Sequence, residues 1–294
     1  MTPLLPRFPI YIPSKSRAES ALTPSALDEL GVPYLIVVEA SQHDAYAARF
    51  QPGRLLVLDK TFQDDYDTCD DAGNQRSKGP GPARNFIWEH ARTQGHTWHW
   101  VMDDNIRAFY RLHQNRKYAV SGSGQAFHAM ETFVLRYENI GMAGPEYEMF
   151  VPARQPAAPF RMNTRIFSCN LIRNDIDLRW RGRYNEDLIL SIDMLKAGWC
   201  TVLFLAFLQK KIATQQMSGG NTEAFYEHEG TLRKSQMALQ VHPDVVQLAQ
   251  RYGRVHHQGD FSQFRNMSLI RRPGYQVVDV DPYPMRLIDR ELLS

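Results

Sequence analysis

Along the first half of the chain, short apolar runs rich in β-branched and aromatic residues alternate with stretches whose apolar positions recur every three or four residues. That alternation predicts an α/β sheet with parallel strands. Residues 8–12 read as a first strand, and Thr23 is placed to cap a short helix with Pro24 at its first position and Gly31 just past its end. Residues 34–38 form a second strand with Glu39 at its carboxyl end, 41–50 a helix, and 54–58 a third strand. The polar, glycine-containing segment 59–81 is too long for an ordinary connection in such a fold. Residues 82–93 then predict a helix stopped by Gly95, and 99–102 a strand that runs directly into Asp103, Asp104 and Asn105.

Ser121-Gly122-Ser123-Gly124 reads as a flexible joint before a helix whose apolar face carries Phe127, Met130, Val134 and Tyr137. Beyond it the pattern predicts a strand over 166–172, a helix over 185–197 capped by Asn185 and ended by Gly198, and a buried strand over 201–208. The tail after Ser218-Gly219-Gly220 reads as loop and helix. The chain thus divides into 1–120, 121–217 and 218–294, with no internal repeat.

Composition narrows the class. With 43% hydrophobic and 22% charged residues over 294 positions, the chain is globular and neither a disordered tail nor a fibre. Its longest strongly apolar stretch, 199–208, is far short of the roughly 20 residues that span a bilayer, and Pro3, Pro6 and Pro9 do not read as a signal peptide. No membrane partner is expected. Cys69, Cys169 and Cys200 lack any Cys-x-x-Cys spacing, which argues against a disulfide framework and fits a reducing cytoplasm. A net charge of +2 is too small to imply a polyanionic partner, but its distribution is uneven. Between 251 and 272 stand Arg251, Arg254, Arg265, Arg271 and Arg272 with His256 and His257, against the single acid Asp260.

In open α/β sheets ligands bind outside the carboxyl ends of the strands, so Ser14 to Arg17, Glu39 and Asp103 to Asn105 are expected to face one crevice. An acidic cluster at a strand end offers the oxygen ligands that a hard cation needs if it is also to neutralise a diphosphate, although Asp and Asn also simply end strands in turns. In RYNEDLILSIDMLKAGW, Glu186 and Asp187 fall in the first turn of a helix. There a carboxylate can act as general base, or merely complement the helix dipole. In GPGPARN, Gly79 and Gly81 precede a helix with Arg84 in its first turn, where backbone amides and a guanidinium can meet phosphate.

The order YIPSKSRAES, VVEA, GPGPARN, VMDDNI and RYNEDLILSIDMLKAGW resembles the nucleotide-sugar-binding GT-A glycosyltransferases. The tail RYGRVHHQGDFSQF with SLIRR, and QMSGGNTE, look like the phage enzymes called TET-associated glycosyltransferases. The resemblance implies a GT-A fold, an α/β architecture with a Rossmann-like nucleotide-binding half, a mixed central sheet and a helical C-terminal extension. Residues 1–120 would then bind the nucleotide sugar, 121–217 would bind acceptor and carry the base, and 218–294 would form a basic extension able to contact DNA. It further implies that Ser14, Arg17, Glu39 and Arg84 bind a UDP-sugar donor together with Asp103 and Asp104. Asp103, Asp104 and Asn105 would hold Mn²⁺ or Mg²⁺, with His256 preferred over His228 and His257 as a histidine ligand. Asp187, with Glu186 beside it, would be the base of an inverting transfer.

The acceptor implied is DNA carrying 5-hydroxymethylcytosine or a related hydroxymethylpyrimidine, contacted by Arg251, Arg254, His257, Arg265, Arg271 and Arg272, with Tyr252, Phe261 and Phe264 interleaved for stacking. Two other readings compete: a transferase acting on a polysaccharide, protein or small molecule, and a metal-dependent nucleotidyltransferase or phosphoesterase that uses the same carboxylates.

Overall fold

The computed structural model describes residues 4–70, 77–152, 158–212, 227–251 and 254–275, by backbone alone at 227–231, 251 and 254. The motif QMSGGNTE, Tyr252 and the side chains of His228, Arg251 and Arg254 lie outside that description.

Ten strands form one mixed sheet in the order β3-β2-β1-β4-β9-β7-β10-β5-β6, with β8 also on β10. The strands are β1 (Ile10–Pro13), β2 (Leu35–Val38), β3 (Leu55–Val57), β4 (Trp98–Met102), β5 (Ile106–His113), β6 (Arg116–Ala119), β7 (Ile140–Tyr147), β8 (Phe160–Met162), β9 (Cys169–Arg173) and β10 (Cys200–Lys211). Only β3, β2, β1 and β4 make the expected parallel run; β9 then pairs antiparallel with both β4 and β7, and β10 is parallel to β7 but antiparallel to β5 and β8. The sheet joins strands from both sides of residue 120.

The period of two decides which face each residue serves. Ile10, Ile12, Ile36, Val38, Trp100 and Met102 pack with Leu27 of α1 (Leu22–Glu29) and Phe127 and Met130 of α5 (Gln125–Val134). On the other face, Tyr11, Val37 and Val101 pack with Ile87 and Trp88 of α4 (Gly81–Thr93) and Leu190 and Met194 of α6 (Glu186–Lys196). The short helices α2 (His43–Ala47) and α3 (Thr61–Asp64) complete this half. No helix among the described residues is long and apolar enough to cross a membrane.

Four local expectations change. Thr23 lies inside α1 and is not its cap: its hydroxyl donates to the Asp103 carbonyl at 2.5 Å and accepts from the Ile106 amide at 2.9 Å, which clamps the helix to the end of β4. Asn185 stands at the start of α6 in the left-handed region, φ 56°, and its amide donates to the Lys234 carbonyl instead of capping. The second half of the 121–124 joint is packed, with Ser123 buried and Gly124 so close to Pro6 that a Cβ would come within 2.5 Å of the proline ring, while Ser121 and Gly122 stay exposed. The tail is not only loop and helix. After α7 (Glu227–Val241) it forms an antiparallel hairpin, β11 (Val246–Arg251) and β12 (Arg254–Gly259). Its polar sequence, VQLAQR opposite RVHHQG, lacks the apolar alternation that marks a strand; pairing and packing on α7 form it instead. Leu188, Ile192 and Leu195 of α6 bury against Ala238, Val245, Val246 and Phe264, and this cluster fixes the extension to the main sheet.

Candidate active site

A crevice of about 410 Å³ opens at the carboxyl ends of β1, β2 and β4, as the strand order predicts for an open sheet. Ser14, Lys15, Arg17 and Glu39 line one side; Asp103, Asp104 and Asn105 form its floor; Glu186 and Asp187 come from α6 and Lys211 from the end of β10. Lys234 of α7 and His257 of β12 also reach it.

Arg84 is the hidden link. Its side chain is only 2% exposed and stacks on Trp180 at 4.5 Å, while one terminal nitrogen bonds Asp187 and the other Asp103 at 2.6 Å. A guanidinium that delivers two fixed donors suits this bridging role, which a lysine could not fill. The remaining oxygen of Asp103 takes the Lys211 ammonium at 2.5 Å, and that ammonium also donates to the Ser168 hydroxyl at 2.8 Å. Burial works to raise the Asp103 carboxyl, but Lys211 and Arg84 outweigh it and hold it well below the usual range. Burial pulls the other way on the cations, but Asp187 and Asp103 keep Arg84 firmly charged and Asp103 does the same for Lys211.

Asp104 points into the fold. Its oxygens accept from Ser14 at 2.7 Å and Arg17 at 2.6 Å, its backbone carbonyl receives the amides of Leu22 and Thr23, and burial raises its pKa. Ser14 and Arg17 therefore spend their main contacts on Asp104. Glu39 is held by Lys15 at 2.7 Å and Gln63 at 3.1 Å. Asn105 is buried and donates to the Ile212 carbonyl at 3.0 Å.

The two acids of α6 differ sharply. Asp187 accepts from Arg84, from the Ser168 amide at 3.1 Å and from Asn170 at 3.0 Å, so both its oxygens are committed. Glu186 has Arg84 at 3.6 Å, and burial pushes its carboxyl up to about 7; Arg84 opposes that shift and Asp187 adds to it. A carboxylate with a pKa near neutrality is suited to proton transfer.

The Mn²⁺ or Mg²⁺ expected from the acidic run does not find its ligands in this arrangement. Among the described residues no three His, Cys, Asp or Glu side chains converge on one point. Asp103 has a cation on each oxygen, and Asp104 is consumed by Ser14 and Arg17. His256 is exposed on the hairpin and outside the crevice, whereas its neighbour His257 faces in, as alternation along a strand requires.

The basic run of the tail is dispersed. Arg271 bridges to Tyr137, and the Arg272 amide bonds the Arg136 carbonyl, just before the amino end of β7. Because β7 runs parallel to β4 through the intervening antiparallel β9, that is the end of the sheet opposite the crevice. Arg265 is exposed beyond β12. Sequence reasoning passed over Lys211, Lys234, Tyr147 and Ser168; the one available signal was the Gln209-Lys210-Lys211 run, cations at the end of an apolar strand.

A family model described as TET-Associated Glycosyltransferase matches residues 8–220, well over half of the chain. The chain belongs to this family. The TET-associated glycosyltransferase core thus spans the sheet, Asp103, Arg84, Glu186, Asp187 and Lys211, while α7 and the hairpin carrying Lys234 and His257 lie outside the match. No curated protein and no solved structure matches the chain at a significant level.

Proposed function

We propose that this glycosyltransferase moves a hexosyl or N-acetylhexosaminyl group from a UDP-sugar to the hydroxymethyl group of 5-hydroxymethylcytosine, or a related hydroxymethylpyrimidine, in phage DNA, within a GT-A arrangement. The observation that carries the reading is the pairing of a near-neutral carboxyl, Glu186, with the cationic group of Lys211 and Arg84 across one crevice at the strand ends.

In this reading the nucleotide lies along Ser14 to Arg17 and Glu39, with its diphosphate toward Lys211. Glu186 takes the proton of the acceptor hydroxyl. The oxygen's electron pair forms the new bond to the anomeric carbon on the face away from the diphosphate. The bond from that carbon to the diphosphate oxygen breaks, and UDP departs with the pair, so configuration inverts. Lys211, Lys15 and Lys234 meet the charge that develops on the leaving group, which is electrostatic stabilisation by groups already in place. Asp187 and Asp103 hold Arg84, and through it set the position of Glu186.

The test is mass spectrometry of nucleosides from hydroxymethylcytosine-containing DNA and from unmodified DNA, each incubated with the protein and a panel of UDP-sugars. A hexose or N-acetylhexosamine mass gain confined to the modified base is expected. UDP release without any gain on DNA removes the DNA acceptor; neither gain nor UDP release removes glycosyl transfer.

A further inference from the structure

Beside the crevice lies a second cavity of about 370 Å³, walled among others by Arg165, Phe167, Leu188, His257, Gln258 and Phe261. Its volume falls within the roughly 300–1,000 Å³ of small-ligand sites. We infer that this second cavity is the acceptor subsite, and that it seats a planar, hydrogen-bonding ring of the nucleobase class with its hydroxymethyl group directed into the crevice. The inference rests on the glycosyl-transfer reading above and adds the place and chemistry of the acceptor.

Three observations carry it. The two cavities are contiguous, because Phe167 and His257 line both. The first turn of α6 serves both as well: Glu186 and Asp187 face the crevice, and Leu188 faces the second cavity. A ring in the second cavity that extends one carbon past Phe167 therefore brings its hydroxyl toward Glu186.

The walls also suit a flat heteroaromatic ring. Phe261 supplies an aromatic face on which any base can stack, and Phe167, itself stacked on Tyr147 at 6.3 Å, adds an apolar edge. Phe261 is held there by Gly259, where a Cβ would come within 2.7 Å of the Phe261 ring. The Arg165 guanidinium lies over Phe167 at 5.4 Å from its centroid, and Gln258 adds a polar residue to the wall. His257 Nδ1 is buried with no hydrogen-bond partner among the described residues. That nitrogen stands on a residue shared by the two cavities. A nucleobase in this place must leave the duplex stack or come from a single strand.

His257, Gln258 and Phe261 all lie beyond residue 220, so one wall of this cavity comes from the segment that the family match does not cover, and Arg165, Phe167 and Leu188 come from the matched core.

The experiment compares the full chain with its Phe261→Ala and Gln258→Leu variants. It measures anisotropy of a labelled single-stranded oligonucleotide carrying one 5-hydroxymethylcytosine, UDP affinity by calorimetry, and KM for the oligonucleotide in transfer. Loss of one stacking face or one base-edge contact is expected to weaken oligonucleotide binding and raise KM about tenfold, with UDP affinity unchanged. Wild-type oligonucleotide affinity and KM in both variants would overturn the subsite while leaving glycosyl transfer standing. Weakened binding in the variants with no sugar transferred by the wild type would overturn glycosyl transfer and keep the base-binding cavity. A wild type that releases UDP but does not bind the oligonucleotide would overturn the nucleobase assignment.

Discussion

Arg84 and Asp187 form a buried ion pair that ties the first turn of α4 to the first turn of α6, although 103 residues separate them. The same guanidinium reaches Asp103, so one side chain positions the end of β4 against the helix that carries Glu186. Removing it takes the shared cation from Glu186 and Asp187 in a largely dry site and leaves Asp103 with Lys211 alone. Arg84→Met is expected to destabilise the fold by ~3–5 kcal/mol, read as a shift in the urea midpoint. A change under ~1 kcal/mol would show that the pair is not a strut.

Glu186→Gln is expected to lower turnover by ~10²–10⁴-fold with UDP binding retained, the loss typical of a missing general base. Glu186 must be ionised to accept a proton, so wild-type kcat/KM should climb as pH rises through about 7, and the variant's residual rate should lack that limb. A pH profile that is the same in both proteins would transfer the role to another group.

Lys211→Met removes one of the two cations on Asp103 and the ammonium nearest the proposed diphosphate position. UDP affinity should fall about tenfold or more, the scale of one charge-assisted contact. Wild-type protein dialysed against EDTA should retain transfer. Activity that vanishes with EDTA and returns with Mn²⁺ would mean that Asp103 exchanges Lys211 for a metal on binding donor.

His99 is fully buried beneath Trp88 and beside Asn174, and burial pushes its pKa from 6.5 down to about 4. The folded state therefore prefers neutral imidazole, while the unfolded chain binds a proton already near 6.5. Its contribution is full above 6.5 and is lost as pH falls from there toward 4, in total ~3 kcal/mol by linkage. The difference in unfolding free energy between wild type and His99→Gln, followed from pH 7.5 to 4, should show this slope, and a flat difference would refute it.

Much of the frame could be read from the chain alone. Strands over Ile10, Leu35, Leu55 and Trp98, and helices ending near Gly31, Gly95 and Gly198, follow from short-range periodicity and from glycines at positive φ. The arrival of Arg17, Glu39 and Asp103 at one crevice follows too, since carboxyl ends of neighbouring parallel strands must open on the same side. The hairpin escaped, because VQLAQR and RVHHQG gain strand geometry only from each other and from α7.

Which partners each acid meets was decided only by the tertiary structure. Asp103, Asp104, Glu186 and Asp187 look interchangeable in the sequence as paired carboxylates, yet one is neutralised by Lys211 from 108 residues away, one is locked by Ser14 and Arg17, one is saturated by Arg84, Ser168 and Asn170, and one keeps a pKa near 7. Local pattern determined where the carboxylates stand, because a strand end and a helix start are short-range events. Their protonation and their partners depend on charges and burial brought in from distant parts of the chain, and the sheet order alone fixes those.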